Sequence, residues 1–559
     1  MIKKILFGLL AGLLCGNWAL ARERPNILLL MAEDLSPRLG AFGDSVAVTP
    51  NLDVLAAEGV RYPNTFTTAG VCAPSRASHI LGMHQISTGA QHMRTSSAPD
   101  GAYFAVPPPE VKAYPELLRA AGYYTYTGRK LDYQFSGTLS GSGPFTIWDA
   151  EGTKHPGWAG RAPGQPFFGF LSFLATHESG VFRPLGTMPH SSTHLLMQVM
   201  RWWMMDETPA AVVSPAALLL PPYYPDTPVV RRDMARHYNN IAHMDREVAA
   251  LLAQLEADGL ADSTILIWTT DHGDGLPRAK RELYDSGLNV PMIIRWPEAF
   301  RPEGVVAGAI DTRLVSFVDL APAILGMAGA DLPEYLHGQD FTVPDAPERQ
   351  YILASRDRID EVPDRQRAVR DRRFKYIRSW RPQQIGGHEL AFRDNLEMVR
   401  EMRELYLAGK LNAAQRAWFE APGEERLFDL ERDPFELEDV SGDPGYRDDL
   451  LRLRTVLEQR LSEIGDWSEQ SEAAMVESFT RDGERRVTQQ PLASVTDGKL
   501  TLEPASVGSS LGYRLDGGPW RLYTSPVDIK GALQVEVRSV RYGWEASKIK
   551  KIEVGENAR

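Results

Sequence analysis

The chain has 559 residues, 43% of them hydrophobic, with 61 basic against 73 acidic side chains and a net charge of −12. Its length suits roughly two to four domains, and its apolar share is that of an ordinary globular protein with material for a core. The acidic balance excludes a general nucleic-acid binder, which needs a basic footprint, but it leaves room for a local basic pocket that takes an anionic substrate.

Lys3 and Lys4 precede the apolar run Ile5 to Leu14, which is too short to span a bilayer, and Ala19-Leu20-Ala21 has the form of a cleavage site. Residues 1–21 read as a signal peptide, with the mature chain starting at Arg22 and a periplasmic or secreted destination. Leu14 stands before Cys15 where a lipid-anchored precursor carries a small residue, so no lipid anchor is expected. No later segment is long and apolar enough to be a membrane span.

Four short apolar runs then end on polar residues. Ile27 to Ala32 leads into Glu33 and Asp34, Tyr123 to Thr127 into Lys130, Phe167 to Ala175 into Thr176 and His177, and Ile265 to Thr270 into Asp271 and His272. Runs without alternation predict strands buried on both faces, the mark of a parallel sheet. Ligands of such sheets bind off the carboxyl ends of the strands, so four strands would deliver polar groups to one edge. Helices are expected between them: one with Thr49 as N-cap and Pro50 at its first position, stopping at Gly59; one from Pro115 to Ala121; and one over residues 312–328. The alternation gives an α/β domain over residues 22–345.

The pattern changes after about residue 345. Phe374 to Ile377 and Leu427 to Leu430 predict strands, and Asn395 to Ala421 and Asp448 to Ile464 predict helices. Residues 346–465 thus form a smaller α+β C-terminal subdomain. Residues 466–492 are polar and poorly patterned and read as a linker. Residues 493–559 alternate as strands do, with the turn Asp516-Gly517-Gly518, and read as a β-sandwich-like appendage.

Cys72 is expected to be the only cysteine left after export, and a lone thiol is anomalous in an oxidising compartment. It opens Cys72-Ala73-Pro74-Ser75-Arg76, closed by Gly82, a run that suits a helix start. Cys72 and Arg76 would share one helix face, placing a sulfur and a guanidinium by positive backbone ends, a cradle for a tetrahedral anion. Glu33, Asp34 and Asp271 offer hard oxygens at two strand ends, suited to a divalent cation. Taken singly, each acid reads better as a solvated residue or helix cap; two such strand ends beside the Cys72 motif weaken that reading.

With these residues in view the chain resembles the type I, formylglycine-dependent sulfatases of the alkaline-phosphatase-like superfamily, nearest their heparan N-sulfatase-like branch. The motifs that carry the resemblance are Pro25-Asn26-Ile27 through Glu33-Asp34, Thr49-Pro50-Asn51-Leu52-Asp53, Cys72-x-Pro74-Ser75-Arg76 with Gly82, and Asp271-His272-Gly273 followed by Lys280 and Tyr284-Asp285-Ser286-Gly287. The resemblance covers about residues 24–465, and several ordered motifs agree. The resemblance implies a mostly parallel sheet flanked by helices, and a sulfatase cleaving sulfate esters or sulfamates. It implies that a maturation enzyme oxidises Cys72 to formylglycine, whose hydrate has two hydroxyls. One attacks sulfur and displaces the alcohol or amine, and loss of the proton from the other expels sulfate. It also implies Ca²⁺, or Mg²⁺, held by Glu33, Asp34, Asp271, His272 and residue 72. Arg76 would steady the aldehyde hydrate, Lys130, His177 and Lys280 would contact sulfate or the leaving group, and His177 or Lys280 would be the general acid.

Three positions depart from the family pattern. Glu33 stands where many members have aspartate, His272 where many have asparagine, and Asp132 where many continue with histidine two residues after the lysine. His92, Arg94, Arg278 and Arg358 resemble the N-sulfatase-like branch and would read a sulfated saccharide, with plain surface charge as the equal reading. The tail around Gly512 to Trp520 is similar to the small β-sandwich of chitobiase-type enzymes. Two other readings stay open: a phosphodiesterase or phosphonate monoester hydrolase on the same scaffold, and a non-catalytic glycan-binding protein.

Overall fold

The computed structural model describes residues 24–93, 102–152, 157–204 and 209–552. The expected signal peptide and Arg94 lie outside the described residues. Eight strands form the main sheet: β1 (Asn26–Ala32), β2 (Val60–Phe66), β3 (Tyr124–Gly128), β4 (Ala150–Gly152), β5 (Phe167–Phe173), β6 (Thr264–Thr270), β7 (Asn289–Arg295) and β8 (Val315–Ser316), in the order β4-β3-β5-β1-β6-β7-β2-β8. The five from β4 to β6 run parallel, and β7 is antiparallel to both β6 and β2. Every residue of β1, β5 and β6 is buried, as continuous apolar runs require when helices cover both faces.

Register aligns the carboxyl ends. Ala32 pairs with Phe173 on one side and Thr270 on the other, and Gly128 pairs with Leu171. The polar residues after β1, β3, β5 and β6 therefore leave the sheet along one edge. The helix Cys72–Leu81 follows β2 and is buried throughout, with Gly82 in the left-handed conformation closing it at φ 66°.

Two helical details differ from expectation. Thr49 stands at the N-cap of the helix Pro50–Glu58, but its hydroxyl does not cap it. Asp245, from the long helix Pro228–Ala257, accepts from Leu52 N (2.8 Å) and Asn51 N (3.3 Å) instead. Residues 312–328 are not one helix. They hold β8, a 3-10 turn Phe317–Asp319 and the helix Leu320–Met327, because a Ser316–Asp319 capping box starts the turn there.

A second, antiparallel sheet holds β9 (Ile352–Arg356), β10 (Gln366–Arg370), β11 (Phe374–Ser379) and β12 (Glu425–Asp429), in the order β12-β11-β10-β9. The helix Arg447–Ile464 buries Leu453 and Leu457 against it. Residues 466–492, expected as a linker, carry a helix Glu472–Phe479 whose Met475 and Phe479 join the core of the main sheet.

The final residues form two small antiparallel sheets around Leu500, Leu511, Val535 and Val537. They are docked on the main domain. Tyr542 is fully buried, its ring stacks on Phe135 at 5.0 Å, and its hydroxyl donates to Glu116 Oε2 at 2.8 Å. Ser510 Oγ bonds the other oxygen of Glu116 at 2.5 Å. Thr146 Oγ1 still donates to Glu116 Oε2 when the hydroxyl is removed, but Tyr542→Phe takes one hydrogen bond from a buried carboxylate and leaves Ala113 N without its acceptor, so it is expected to cost about 1–3 kcal/mol. Thermal unfolding checks this, and an unchanged midpoint contradicts the clamp.

Candidate active site

The sheet edge gathers the candidate residues because each follows the end of a parallel strand. Asp34 sits two residues after β1 in the left-handed region, φ 50°, where a non-glycine residue is held by its surroundings. Its main-chain N donates to Asp271 Oδ1 at 3.0 Å, and its carboxylate Oδ2 accepts from Glu178 N at 2.7 Å and Lys280 Nζ at 2.5 Å. Cys72 is the first residue of its helix. Its Sγ lies 3.2 Å from His272 Nε2 and 3.8 Å from Asp34 Oδ1. One turn on, Arg76 is completely buried and forks across the edge: Nε donates to Asp271 Oδ2 (3.0 Å), one terminal nitrogen to Glu33 Oε1 (3.1 Å), the other to Ser172 Oγ (3.1 Å).

Asp34, Cys72, Asp271 and His272 each aim one ligand atom at a common point, all within 4.8 Å of one another and all buried. His272 Nε2 stands 3.2 Å from Asp34 Oδ1 and 3.7 Å from Asp271 Oδ1, while Nδ1 faces the Gly273 carbonyl at 2.9 Å. Burial works against a charged imidazole here, but Asp271, the Cys72 sulfur and Asp34 outweigh it and raise His272 to about 10. Carboxylates packed this closely in a dry interior require positive charge between them. Without an ion the imidazolium meets that requirement; a divalent cation fits the hard oxygens of Asp34 and Asp271 in the place of its proton, with His272 then neutral.

Glu33 is not part of this group. Its longer side chain turns toward the basic residues: Oε1 takes Arg76 and Lys130 Nζ (3.1 Å), and Oε2 lies 3.9 Å from His177 Nε2. It forms a second cluster with Asp34 and His177. Burial raises its pKa despite Lys130 and Arg76. Asp132, at φ 54°, places Oδ2 3.5 Å from Lys130 Nζ, so the departure from the family pattern reaches the site through that lysine.

Four basic groups surround the cluster. Burial disfavours charge on both lysines, but Cys72, Glu33 and Asp132 keep Lys130 ionised, and Asp34, Cys72 and Glu178 keep Lys280 so. His177 is held well below its ordinary value by burial and by Lys280 and Lys130. Its Nδ1 accepts from Ser179 N at 3.3 Å, which leaves the proton on Nε2, facing Glu33. Sequence reasoning missed the next shell. Glu178 bonds both Lys280 (3.4 Å) and Arg281 (2.9 and 3.0 Å), and Arg281 continues to Asp360 at 3.3 Å. Glu178 and Arg281 each follow a residue that had been singled out, which was the available signal.

The expected saccharide readers are already engaged. Arg358 makes a two-pronged pair with Glu472, both contacts at 2.7 Å, and His92 Nδ1 accepts from Arg358 N at 3.1 Å. Arg278 stacks over Tyr284 (3.8 Å) and Tyr223 (4.5 Å) and donates to the Glu436 carbonyl at 2.6 Å. All three sit among protein partners, and none joins the group around Cys72.

No helix among the described residues is long and apolar enough to cross a membrane. Comparison with known proteins finds the Sulfatase family pattern over residues 25–143 and 153–330, and the pattern "N-sulphoglucosamine sulphohydrolase, C-terminal" over residues 278–416. An ulvan-active sulfatase of Formosa agariphila is 40% identical over 556 residues, covering 94% of this chain and 91% of that protein. The N-sulphoglucosamine sulphohydrolase of Homo sapiens is 27% identical over 329 residues, covering 56% of this chain and 63% of that one. Among solved structures, one in complex with its substrate D-glucosamine-2-N,6-O-disulfate matches with a TM-score of 0.53 at 18% identity, over 80% of this chain and all of that one. A phosphonate monoester hydrolase from Silicibacter pomeroyi matches with a TM-score of 0.53 at 16% identity, over 86% of this chain and all of that one. Both structures share the fold.

Proposed function

The chain belongs to the sulfatase family, and from that premise we propose that it is an exported enzyme removing sulfate from sulfated saccharides, with residue 72 matured to formylglycine and a Ca²⁺ ion beside it. The observation that carries this is the meeting of Cys72, Asp34, Asp271 and His272 at one point, ringed by Arg76, Lys130, His177 and Lys280. Bound there by Asp34, Asp271, His272 and residue 72, the cation would polarise sulfate oxygens, and formylglycine would supply an oxygen nucleophile with a built-in route for sulfate release. A maturation enzyme acting on the exported precursor is part of the same reading.

The remaining work falls to the chain's own side chains. Arg76 is fixed by two carboxylates one helical turn from residue 72, and its charge would steady the aldehyde hydrate there. Lys130 and Lys280 stay charged and offset the anion's negative charge. Lys280 sits too high on the pH scale to give up its proton near neutrality. His177 is different: burial lowers its pKa most, Lys280 and Lys130 lower it further, and a bound sulfate would offset the lysines' share. Sulfate binding therefore moves His177 upward, toward a working general acid that would give its Nε2 proton to the departing oxygen or nitrogen. His177→Gln is expected to slow saccharide sulfates at least about tenfold more than 4-nitrophenyl sulfate, whose leaving group needs no proton. Equal losses on both would assign the proton elsewhere.

The substrate reading rests on the relative whose name records activity on ulvan. Its test is kcat/KM on ulvan oligosaccharides and D-glucosamine-2-N,6-O-disulfate against 4-nitrophenyl sulfate and a phosphonate monoester, since specificity is a ratio of those constants. Preference for a sulfated saccharide supports the reading. Preference for the phosphonate replaces it with the related hydrolase activity, and desulfation of aryl sulfate alone removes the saccharide.

A further inference from the structure

Next to His177 lies a cavity of about 460 Å³ that the sulfate chemistry does not use. Its volume falls in the range of about 300–1,000 Å³ common to small-molecule sites. The turn after β5 joins it to the site: Ser179, on its wall, holds His177 Nδ1 with its hydroxyl at 2.8 Å. Gly180 follows, and a Cβ there would come within 2.6 Å of Asn240 Nδ2 and 2.7 Å of an Arg201 terminal nitrogen. The glycine lets these two polar groups approach the turn.

Arg201 is unusual. Its terminal nitrogens donate to the Leu174 and Ala175 carbonyls, both at 3.1 Å, and no carboxylate among the described residues pairs with it. Burial without such a pair lowers its pKa to about 10, with Glu247 and Glu33 only partly opposing. An unmatched buried guanidinium favours an anion. Two amide atoms, Asn240 Nδ2 and Gln198 Oε1, are buried with no hydrogen-bond partner among the described residues. Beside them Trp202 is 70% exposed, although its indole borders the cavity.

An exposed aromatic plate and a guanidinium without a carboxylate partner in one cavity form the recognition set of a charged sugar: the plate packs against pyranose C–H groups and the guanidinium takes a carboxylate or sulfate. We propose that this cavity binds an anionic pyranose of the substrate chain, the unit beyond the one whose sulfate is cleaved, with Trp202 and Arg201 as its specificity-determining residues. The proposal rests on the saccharide reading above.

The test uses the mature, metal-loaded enzyme and the Trp202→Ala and Trp203→Ala variants. Trp203 is 67% exposed on the same helix but does not border the cavity. The ratio of kcat/KM on ulvan oligosaccharides to that on 4-nitrophenyl sulfate is expected to fall about tenfold in Trp202→Ala, carried by KM, and to hold in Trp203→Ala. An unchanged ratio in Trp202→Ala, or equal losses in both variants, overturns the subsite and leaves the saccharide reading standing. Binding is measured separately, by titrating tryptophan fluorescence with the same oligosaccharides. Binding by the native enzyme that weakens in Trp202→Ala supports the subsite even if the oligosaccharides are not cleaved, and no binding by the native enzyme overturns it.

Discussion

Cys72→Ala is expected to lower kcat on 4-nitrophenyl sulfate by about 10⁴-fold or more, the scale seen when a covalent nucleophile is removed. The substitution deletes one buried atom, so folding is expected to survive. Arg76 keeps both of its carboxylate partners, and neither Asp34 nor Asp271 loses its hydrogen bonds to main-chain or cationic donors. Cys72→Ser separates attack from release. A serine oxygen can form a bond to sulfur as the alcohol leaves, but it carries no second hydroxyl to expel sulfate. Up to one equivalent of alcohol per chain followed by a stall is the expected trace, and sustained native turnover by either variant is the contrary one.

Asp271→Asn is expected to cost about 10³-fold in kcat/KM, and Asp271→Ala more. Asp271 ties three parts of the site together: Arg76 through Oδ2, and the Asp34 main chain and His272 through Oδ1. The alanine variant leaves Arg76 buried with Glu33 as its remaining carboxylate, so it is expected to lose about 3–5 kcal/mol of stability. Asparagine keeps the shape and isolates the charge. Burial raises the Asp271 carboxyl, but His272, Arg76 and Lys130 outweigh it and hold the pKa well below the usual carboxylate range. For a depressed acid the stabilisation is present above the unfolded value of about 3.9 and fades as pH falls through the folded one. The destabilisation is therefore expected in full from pH 5 to 8 and to shrink in strong acid. Metal content per chain should fall in both variants, and EDTA should silence the native enzyme until Ca²⁺ or Mg²⁺ returns. Undiminished turnover after chelation would contradict the cation site.

Much of the edge of the main sheet was legible because parallel strands buried on both faces leave continuous apolar runs. Polar residues that end such runs can only emerge at the carboxyl edge, and Asp34, Lys130, His177 and Asp271 all do. β2 was not legible: Val60 to Phe66 contains Pro63 and a register shift between Tyr62 and Thr65, so it lacks both alternation and an apolar run. The helix Pro228–Ala257 buries Asp233, His237, Asn240 and Asp245, which blurs its apolar stripe. The helix over residues 472–479 buries only Met475 and Phe479, with Val476 half-buried beside them, too few positions for a periodic signal.

Charges were easier to see than their partners. Arg358 stands out as a basic residue, but Glu472 lies 114 residues away and only the fold brings the two together. Glu33 was visible as an acid, whereas its pairing with Arg76 and Lys130 depends on where two basic side chains end in the fold. The cavity beside His177 left no local trace. Its wall joins the turn after β5 to two helices, and the gap in pairing around Arg201 exists only in three dimensions.

The central claim is that residue 72 acts as formylglycine. Mass spectrometry of the tryptic peptide spanning residue 72, on enzyme of measured activity, tests it most directly. The account predicts loss of sulfur and gain of oxygen at residue 72, in a fraction that rises in proportion to specific activity across preparations. Full activity from protein carrying only the unmodified thiol would contradict it.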